Sequence, residues 1–374
     1  MKSNIESCNR CLMDETATNF EKYGNKGCSY CRGFEKRLKE FNKGISSDEN
    51  IRIKELKDKI KSKSGSKYDC IVGVSGGVDS CWVLAKAVEI GLNPLAVHMD
   101  NGWNSELAQN NISNLIRILN VDLFTYVIDW EEYRDLMQAF FDADVIDIEL
   151  LYDNAAIGVL NMASRKFKIK KILSGMNFAT EGVAVPDNWK WNKLDASNIK
   201  SIYKIHNGSK IKSFPLIGVF EQIYNQRILG IKTINLLNYI NYDLEEAKSY
   251  LSKNFKFKPY KYKHYESVFT RFYQGHILPL KFGIDKRKPH LSSLIMSNSI
   301  NKEEALVKLK SSTYGDEFQR IVDKRYFLKK MKWSEETLNN YLARPEKPHN
   351  DYSSQAFLYN MLRNIYLFFM RLMK

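Results

Sequence analysis

The sequence predicts an α/β protein built on a doubly wound parallel sheet, with a small cysteine-rich knuckle before it and a mainly helical region after it. Three observations carry that expectation. From Tyr68 onward, short apolar runs alternate with helix-length amphipathic segments, the βαβ rhythm of a parallel sheet. The run from Tyr68 to Val74 is β-rich and almost uninterrupted, as suits a strand buried on both faces. Ahead of it, Cys8, Cys11, Cys28 and Cys31 form a C-x2-C-x16-C-x2-C pattern.

Residues 1–34 are the knuckle. Each C-x2-C pair presents two sulfurs from one tight turn, and Gly27 and Gly33 allow close backbone approach. Four thiolates saturate a tetrahedral Zn²⁺, so such a site is structural and closed to substrate. A pair of disulfides is the alternative for the same cysteines, and a cytosolic chain disfavours it. Residues 35–66 are charge-rich, with Leu38, Phe41, Ile51, Leu56 and Ile60 as apolar anchors. They read as helix and linker ending at Ser62-Lys63-Ser64-Gly65-Ser66.

Residues 67–230 form the expected α/β domain. After the first strand comes a helix from Val78 to Ile90, with Gly91 placed to end it. Cys70 in the strand and Cys81 in the first helical turn read as packing residues. Pro94 to Met99 is a second strand, Asp100 to Trp103 a turn, and Asn104 to Leu119 a helix with Asn104 as N-cap. Val121 to Ile128 is the third strand and Trp130 to Phe141 the next helix. A helix from Asp153 to Phe167 leads into a fourth strand, Lys171 to Ser174.

Past residue 183 the pattern loosens, although Phe214-Pro215-Leu216 and a helix near Phe220 to Leu229 remain candidates for packing on the sheet. Residues 231–374 read as a mainly helical region that completes the substrate site, opening on a tyrosine- and lysine-rich tract at 255–290. At its end Phe357, Met361, Ile365, Phe368 and Leu372 share one helical face, a core or dimer helix, with a membrane-surface role as the alternative.

The bulk properties fit a folded protein of two or three domains: 374 residues, 44% hydrophobic and 13% aromatic. Met1 to Arg10 has no apolar signal region, and Arg363 and Arg371 interrupt the longest apolar stretch, so the expectation is a cytoplasmic protein with no membrane span. The net charge of +14 invites a nucleic-acid reading. Its lysines are scattered, however, with local clusters such as Lys57 to Lys63, and a small anionic substrate needs only a few of them.

The turn Ser75-Gly76-Gly77-Val78-Asp79-Ser80 joins the first strand to its helix. Strand, glycine-rich turn and helix together aim unpaired N–H groups and the positive helix end at one spot, which suits phosphate. Neither GxxxxGK[ST] nor GxGxxG is present. The six residues resemble the SGGxDS loop of the PP-loop ATP pyrophosphatases. That resemblance implies the corresponding fold and cleavage of ATP to AMP and pyrophosphate.

Further segments narrow the likeness. Asp100-Asn101-Gly102-Trp103-Asn104-Ser105-Glu106 follows the second strand, and Gly175-Met176-Asn177-Phe178-Ala179-Thr180-Glu181-Gly182 follows the fourth on the same edge. A third tract runs from Lys263-His264-Tyr265-Glu266-Ser267 through Arg271 to Lys281-Phe282-Gly283-Ile284-Asp285-Lys286-Arg287-Lys288 and His290-Leu291-Ser292. With the paired C-x2-C knuckle, these residues resemble the bacterial N-acetyl sugar amidotransferases of surface-polysaccharide and nonulosonic-acid biosynthesis, over nearly the whole chain.

The resemblance implies conversion of an acetamido group on a sugar or nucleotide-sugar to an acetamidino group, using ATP, Mg²⁺ and ammonia. It also implies partners resembling the glutaminase and cyclase subunits of imidazole glycerol phosphate synthase. This chain carries no class-I glutaminase signature, so the ammonia must come from elsewhere.

In that chemistry the acetamido oxygen attacks the α-phosphorus, pyrophosphate leaves, and ammonia displaces AMP from an O-adenylyl imidate. Ser75, Gly76, Gly77 and Ser80 would hold the pyrophosphate, and Asp79 would cap the helix or meet Mg²⁺. Gly175 and Asn177 would join them from the fourth strand. Lys281, Lys286, Arg287 and Arg271 are the candidates for balancing phosphate charge, and Glu181 or Asp100 for orienting substrate, ammonia or metal.

Two other readings use the same residues. A tRNA-thiolating or lysidine-forming enzyme shares the loop and would spend the positive charge on phosphate backbone. A non-enzymatic zinc-knuckle scaffold would only bind nucleotide. No cysteine beyond the knuckle and the two packing positions offers a persulfide carrier, and the C-terminal tract matches the sugar family, so nucleic acid is not the expected partner.

Overall fold

The computed structural model describes residues 5–61, 66–260 and 265–355, together with Met361. The linker residues 62–65, the start of the third tract (Lys263 and His264) and the expected terminal helix from Phe357, apart from Met361, lie outside the described residues.

The knuckle is closed by two antiparallel bridges, Ser7 to Asp14 and Lys22 to Cys28. It runs into α1 (Ser29–Asn42) and α2 (Glu49–Ile60). The Asp48 side chain caps α2 by accepting from the amides of Asn50 and Ile51.

The α/β alternation then follows: β1 (Cys70–Gly73), α3 (Val78–Glu89), β2 (Pro94–Asp100), α4 (Glu106–Leu119), β3 (Leu123–Val127), α5 (Trp130–Asp142), α6 (Leu150–Lys166) and β4 (Lys171–Ser174). Next come α7 (Phe178–Glu181), α8 (Ala196–Asn207), α9 (Val219–Arg227), β5 (Lys232–Asn235) and α10 (Leu244–Phe255). The C-terminal region holds α11 (Val268–Phe272), a π-helical continuation over Tyr273–Phe282, α12 (Arg287–Met296), α13 (Lys302–Lys310), α14 (Glu317–Met331) and α15 (Glu335–Ala343).

All five strands pair in parallel, in the order β3-β2-β1-β4-β5. The chain builds outward from β1 to β3, then returns past β1 to add β4 and β5. Winding reverses between β1 and β4, the point where such sheets open a crevice at their carboxyl edge. Alternate residues of β1 serve different layers. Cys70 and Val72 pack with α3 and α10, whereas Ile71 packs with α5, α6 and the C-terminal aromatics. That two-sided burial is why the strand reads as a continuous apolar run. Cys81 is fully buried too, and burial pushes its thiol up to about 12.

The C-terminal helices share most of their core with the α/β domain, apart from a small cluster in which Leu291, Leu294 and Ala305 of α12 and α13 pack with Leu12. Phe269, Phe272, Phe327 and Tyr341 join Trp103, Tyr133 and Phe141 in one cluster beneath the sheet edge. Fusing the two regions this way holds the third tract against the turn after β2.

Three expectations shift. Ser105, not Asn104, caps α4, accepting from the Ala108 amide, because the Asn104 side chain is turned to His98 and Asp100. The helix expected from Asp153 starts at Leu150. The sheet also gains β5, whose residues lie past the boundary set at 230 and whose polar, half-exposed side chains leave no apolar run to read. No helix among the described residues is long and apolar enough to cross a membrane.

Candidate active site at the carboxyl edge of the sheet

The turn after β1 is tied by its two serines. The Ser75 amide donates to Ser80 Oγ at 3.1 Å, the Gly77 amide donates to Ser75 Oγ at 3.3 Å, and Ser80 Oγ donates to the Gly77 carbonyl at 3.1 Å. Gly77 stands at the N-cap of α3 without any side-chain cap. The dipole of this first helical turn favours an anion in front of it. Gly76 has φ +84°, and a Cβ there would lie 2.7 Å from the Ala108 carbonyl oxygen. Tyr260 Oη (3.1 Å) and Asn111 Nδ2 (3.4 Å) donate to the Gly76 carbonyl, and Asn111 also pairs with the backbone of Lys258, strapping that segment across the turn.

The neighbouring strand ends converge on this turn. Gly175 lets the loop after β4 approach Asp79, to 3.1 Å from where its own Cβ would stand. Tyr242 donates its hydroxyl to Asp79, and burial first, then that carboxylate and Glu181, hold the phenol protonated. After β2, Asp100 Oδ1 accepts from the Gly102 amide at 2.8 Å. His98 donates from Nδ1 to the Val74 carbonyl (2.8 Å) and accepts at Nε2 from Asn104 (3.0 Å), tying β2 to the start of the phosphate turn. Beside them a cavity of about 380 Å³ opens between α4 and the edge strands, with Ile112, Ile116 and Leu123 on its walls and His98 and Asp100 at its polar end.

The C-terminal tract is laid directly against this edge. Ser105 donates its amide to the Glu266 carbonyl and Val268 its amide to the Trp103 carbonyl, both at 2.8 Å, around an Asn104–Ser267 bridge. The pairing sets Glu266 Oε1 3.3 Å from a Cβ built on Gly77. From α14, Lys330 donates to the Gly102 carbonyl, with its ammonium 4.1 Å from the centre of the Trp130 ring. Burial lowers its pKa, opposed by the Asp100 charge.

The structure thus brings together Ser75, Gly76, Gly77, Asp79, Ser80, Asp100 and Gly175, with Glu181 near Tyr242. Asn177 sits on this edge, but its side chain is spent locally, accepting from the Thr180 amide (2.8 Å) and donating to the Gly175 carbonyl (3.0 Å).

The four cations expected to balance phosphate all have internal partners in this structure. Arg271 makes a two-pronged pair with the buried Asp323, at 2.7 Å through Nη2, and also donates to the Tyr265 carbonyl. Arg287 clasps Asp285 at 2.7 Å and the carbonyls of Leu309 and Ser311 at the end of α13. Lys281 is enclosed by Asp144 (3.1 Å) and the carbonyls of Tyr341 (2.8 Å) and Arg344 (2.7 Å). Lys286 holds Glu149 at 2.7 Å. Each charge thus has an acid within the chain as its partner.

Lys281→Ala is accordingly expected to leave the KM for ATP unchanged and to destabilise the fold by about 1–3 kcal/mol, since Asp144 and two carbonyls lose a buried donor. Denaturant melts beside ATP titrations separate the two effects. A raised KM with unchanged stability would return Lys281 to the phosphate site.

Glu266, His98 and Lys330 were not singled out as site residues. Glu266 was visible only as part of a tract, and His98 and Lys330 carry no local motif; their roles come from what the fold sets beside them.

At the knuckle all four Sγ atoms lie within 4.8 Å of one another. Cys8–Cys31 and Cys11–Cys28 are 3.8 Å apart and Cys28–Cys31 3.9 Å. A disulfide needs about 2 Å between sulfurs. A tetrahedral ion about 2.3 Å from each sulfur spaces them near 3.8 Å, so the set fits Zn²⁺. The Arg10 and Cys11 amides donate to Cys8 Sγ, as a thiolate ligand wants.

Residues 266–366 match the family model described as "LPS biosynthesis protein WbpG-like, C-terminal domain". A curated relative, the uncharacterized protein MJ1599 of Methanocaldococcus jannaschii, is 39% identical over 77 residues, 20% of this chain and 27% of that protein. The chain thus spans about a quarter of the length of that relative. Among solved structures, NH3-dependent NAD synthetase from Campylobacter jejuni is 14% identical, with 70% of this chain and 97% of that one covered at a TM-score of 0.30. The U34-tRNA thiolase NcsA from Methanococcus maripaludis is 13% identical, with 76% and 82% covered at a TM-score of 0.33.

Proposed function

We propose that this chain, whose residues 266–366 belong to the WbpG-like C-terminal domain family of LPS biosynthesis, is an ATP-dependent, AMP-forming amidotransferase acting on an acetamido sugar. The observation that carries this reading is the contact between its two halves. Glu266, the first residue of the family segment, stands over Gly77 in the phosphate turn, so the sugar-pathway segment and the anion cradle share one edge.

An amide is a poor electrophile with a poor leaving group, and adenylylation repairs both faults. The acetamido oxygen attacks the α-phosphorus, pyrophosphate departs, and the amide nitrogen gives up its proton. Ammonia then adds to the imidate carbon, AMP leaves with the former amide oxygen, and a protonated acetamidino group remains. Both steps move negative charge onto phosphate oxygens, which the positive amino end of α3 and the Ser75 and Ser80 hydroxyls would meet. Asp79, Asp100 and Glu266 offer the oxygen donors that Mg²⁺ prefers, and the bound ion would neutralise pyrophosphate charge. Glu181 would orient the acceptor or the ammonia. Glutaminase and cyclase-like subunits would supply that ammonia.

Mass spectrometry of the protein with ATP-Mg²⁺, an ammonium salt and a panel of acetamido sugars tests the reading. AMP is expected together with a sugar lighter by the difference between O and NH. AMP appearing only with bulk tRNA would overturn it in favour of RNA modification.

A further inference from the structure

A second polar cluster gathers at the amino end of α6. Asp147, Glu149 and Asp153 bring three carboxylates, Lys193 and Lys286 two ammonium groups, and Gln274 an amide. Lys193 Nζ bridges Asp147 Oδ2 at 2.7 Å and Asp153 Oδ2 at 2.9 Å. Lys286 holds Glu149 Oε2 at 2.7 Å, and Gln274 Nε2 donates to both Glu149 oxygens at 3.0 and 2.9 Å. The Trp191 amide donates to Asp147 Oδ2 at 2.7 Å.

One oxygen is left over. Asp147 is fully buried, yet its Oδ1 has no hydrogen-bond partner among the described residues; the Lys286 ammonium is 4.0 Å away. Burial alone would push this carboxyl up, but Lys193 and Lys286 hold it below its usual range, so the oxygen is charged as well as orphaned. Buried acceptors are rarely left so, and a ligand donor would close the gap.

The place of the cluster is as informative as its chemistry. α6 leads into β4, so its amino end lies on the carboxyl edge that carries the phosphate turn. Asp153 and Lys193 keep 43% and 30% of their side chains open, while Glu149 and Lys286 lie deeper. Gln274 and Lys286 come from the WbpG-like segment and the acids from the α/β domain, so the cluster straddles the seam where ligand sites collect.

We propose that this cluster is the acceptor subsite, taking ring hydroxyls and the acetamido N–H of an N-acetylated sugar; the assignment rests on the amidotransferase reading above. The chemistry selects a donor-rich ligand. Carboxylates outnumber ammonium groups, so a substrate carboxylate or diphosphate is directed elsewhere, and Asp147 Oδ1 awaits an O–H or N–H.

The test is steady-state AMP formation by the full chain and its Asp153→Asn and Lys193→Arg variants. The substrates are a UDP-linked diacetamido uronic acid and a diacetamido nonulosonic acid, and thermal melts confirm folding. Asp153 is half open, and Lys193→Arg keeps the charge, so both variants should fold. The expected result is a sugar KM raised about tenfold or more with the KM for ATP unchanged. Unchanged sugar KM in both variants, with active wild-type protein, would overturn the subsite and leave the amidotransferase standing. A wild-type protein that forms no AMP with either sugar would overturn both.

Discussion

Gly76→Ala is expected to cut AMP formation by about 100-fold or more, the size of loss that an ångström of misplacement at a reacting centre produces. Two independent effects act at this position. The backbone sits at φ +84°, where a side chain costs about 1–2 kcal/mol. The new Cβ would also stand 2.7 Å from the Ala108 carbonyl oxygen and 2.9 Å from its Cα, and neither can swing aside as a flexible side chain could. Relief requires α4 or the turn to move. If the turn moves, Ser75 and Gly77 are carried off the α3 axis and the anion cradle opens; if α4 moves, Asn111 lets go of the Lys258 strap. Single-turnover AMP release and ATP titration calorimetry check this. Near-wild-type turnover would show that the turn is not where ATP reacts. A modest drop in melting temperature is compatible with the prediction, because the strain is local and the β1 core beneath it is untouched.

What the sequence discloses here follows the length scale of each device. The glycine-rich turn is six consecutive residues after a buried strand, and the four-cysteine set is two tight turns, so both features are local enough to read from spacing. The strands beneath are legible for the same reason: Cys70, Ile71 and Val72 are apolar on both faces because both faces are covered. β5 escapes notice because an edge strand with open side chains needs no apolar run. The cations are a different case. A basic residue near a motif looks the same whether it faces phosphate or an internal acid, and the partner of Arg271 is Asp323, far along the chain. Lys281 and Arg287 repeat the pattern, the first closing the end of α15 and the second the end of α13. Conversely Glu266 and Lys330 matter through pairings that only the folded chain makes. Contiguous chemistry is readable from one sequence; charge pairing across elements is not.

Stripping the metal, or replacing Cys8 by Ser, should have the largest effect on stability of any change considered, because four-thiolate zinc sites contribute on the order of 10 kcal/mol to the fold they hold. The knuckle is also a brace. Leu12 donates its amide to Ser292 at 3.1 Å, Lys288 pairs with Asp14, and Lys302 donates to the carbonyls of Cys8 (2.7 Å) and Asn9 (2.9 Å), offsetting the negative charge of four thiolates on one divalent ion. Through α1 it reaches the carboxyl edge of the sheet. Arg37 donates to the Gly182 carbonyl at 2.6 Å, and Phe34 packs so closely that a Cβ on Gly182 would meet its ring at 2.3 Å. Gly182 follows Glu181, whose segment is also held by His290 and Ser293 of α12, by Ser297 at its end, and by Asn238, which accepts from the Phe178 amide at 2.9 Å. Loss of zinc should therefore free two elements together: the first 34 residues become protease-sensitive, and the α7 segment loses half its clamp. Metal analysis, limited proteolysis and melting curves read the first effect. AMP formation at saturating ATP reads the second, with ATP affinity retained because the turn before α3 is anchored on β1. Cys81→Ala, outside the set, should keep its zinc. A zinc-free protein with unaltered melting and proteolysis would show that the four thiols are ordinary buried cysteines and that the Glu181 segment is held without the knuckle.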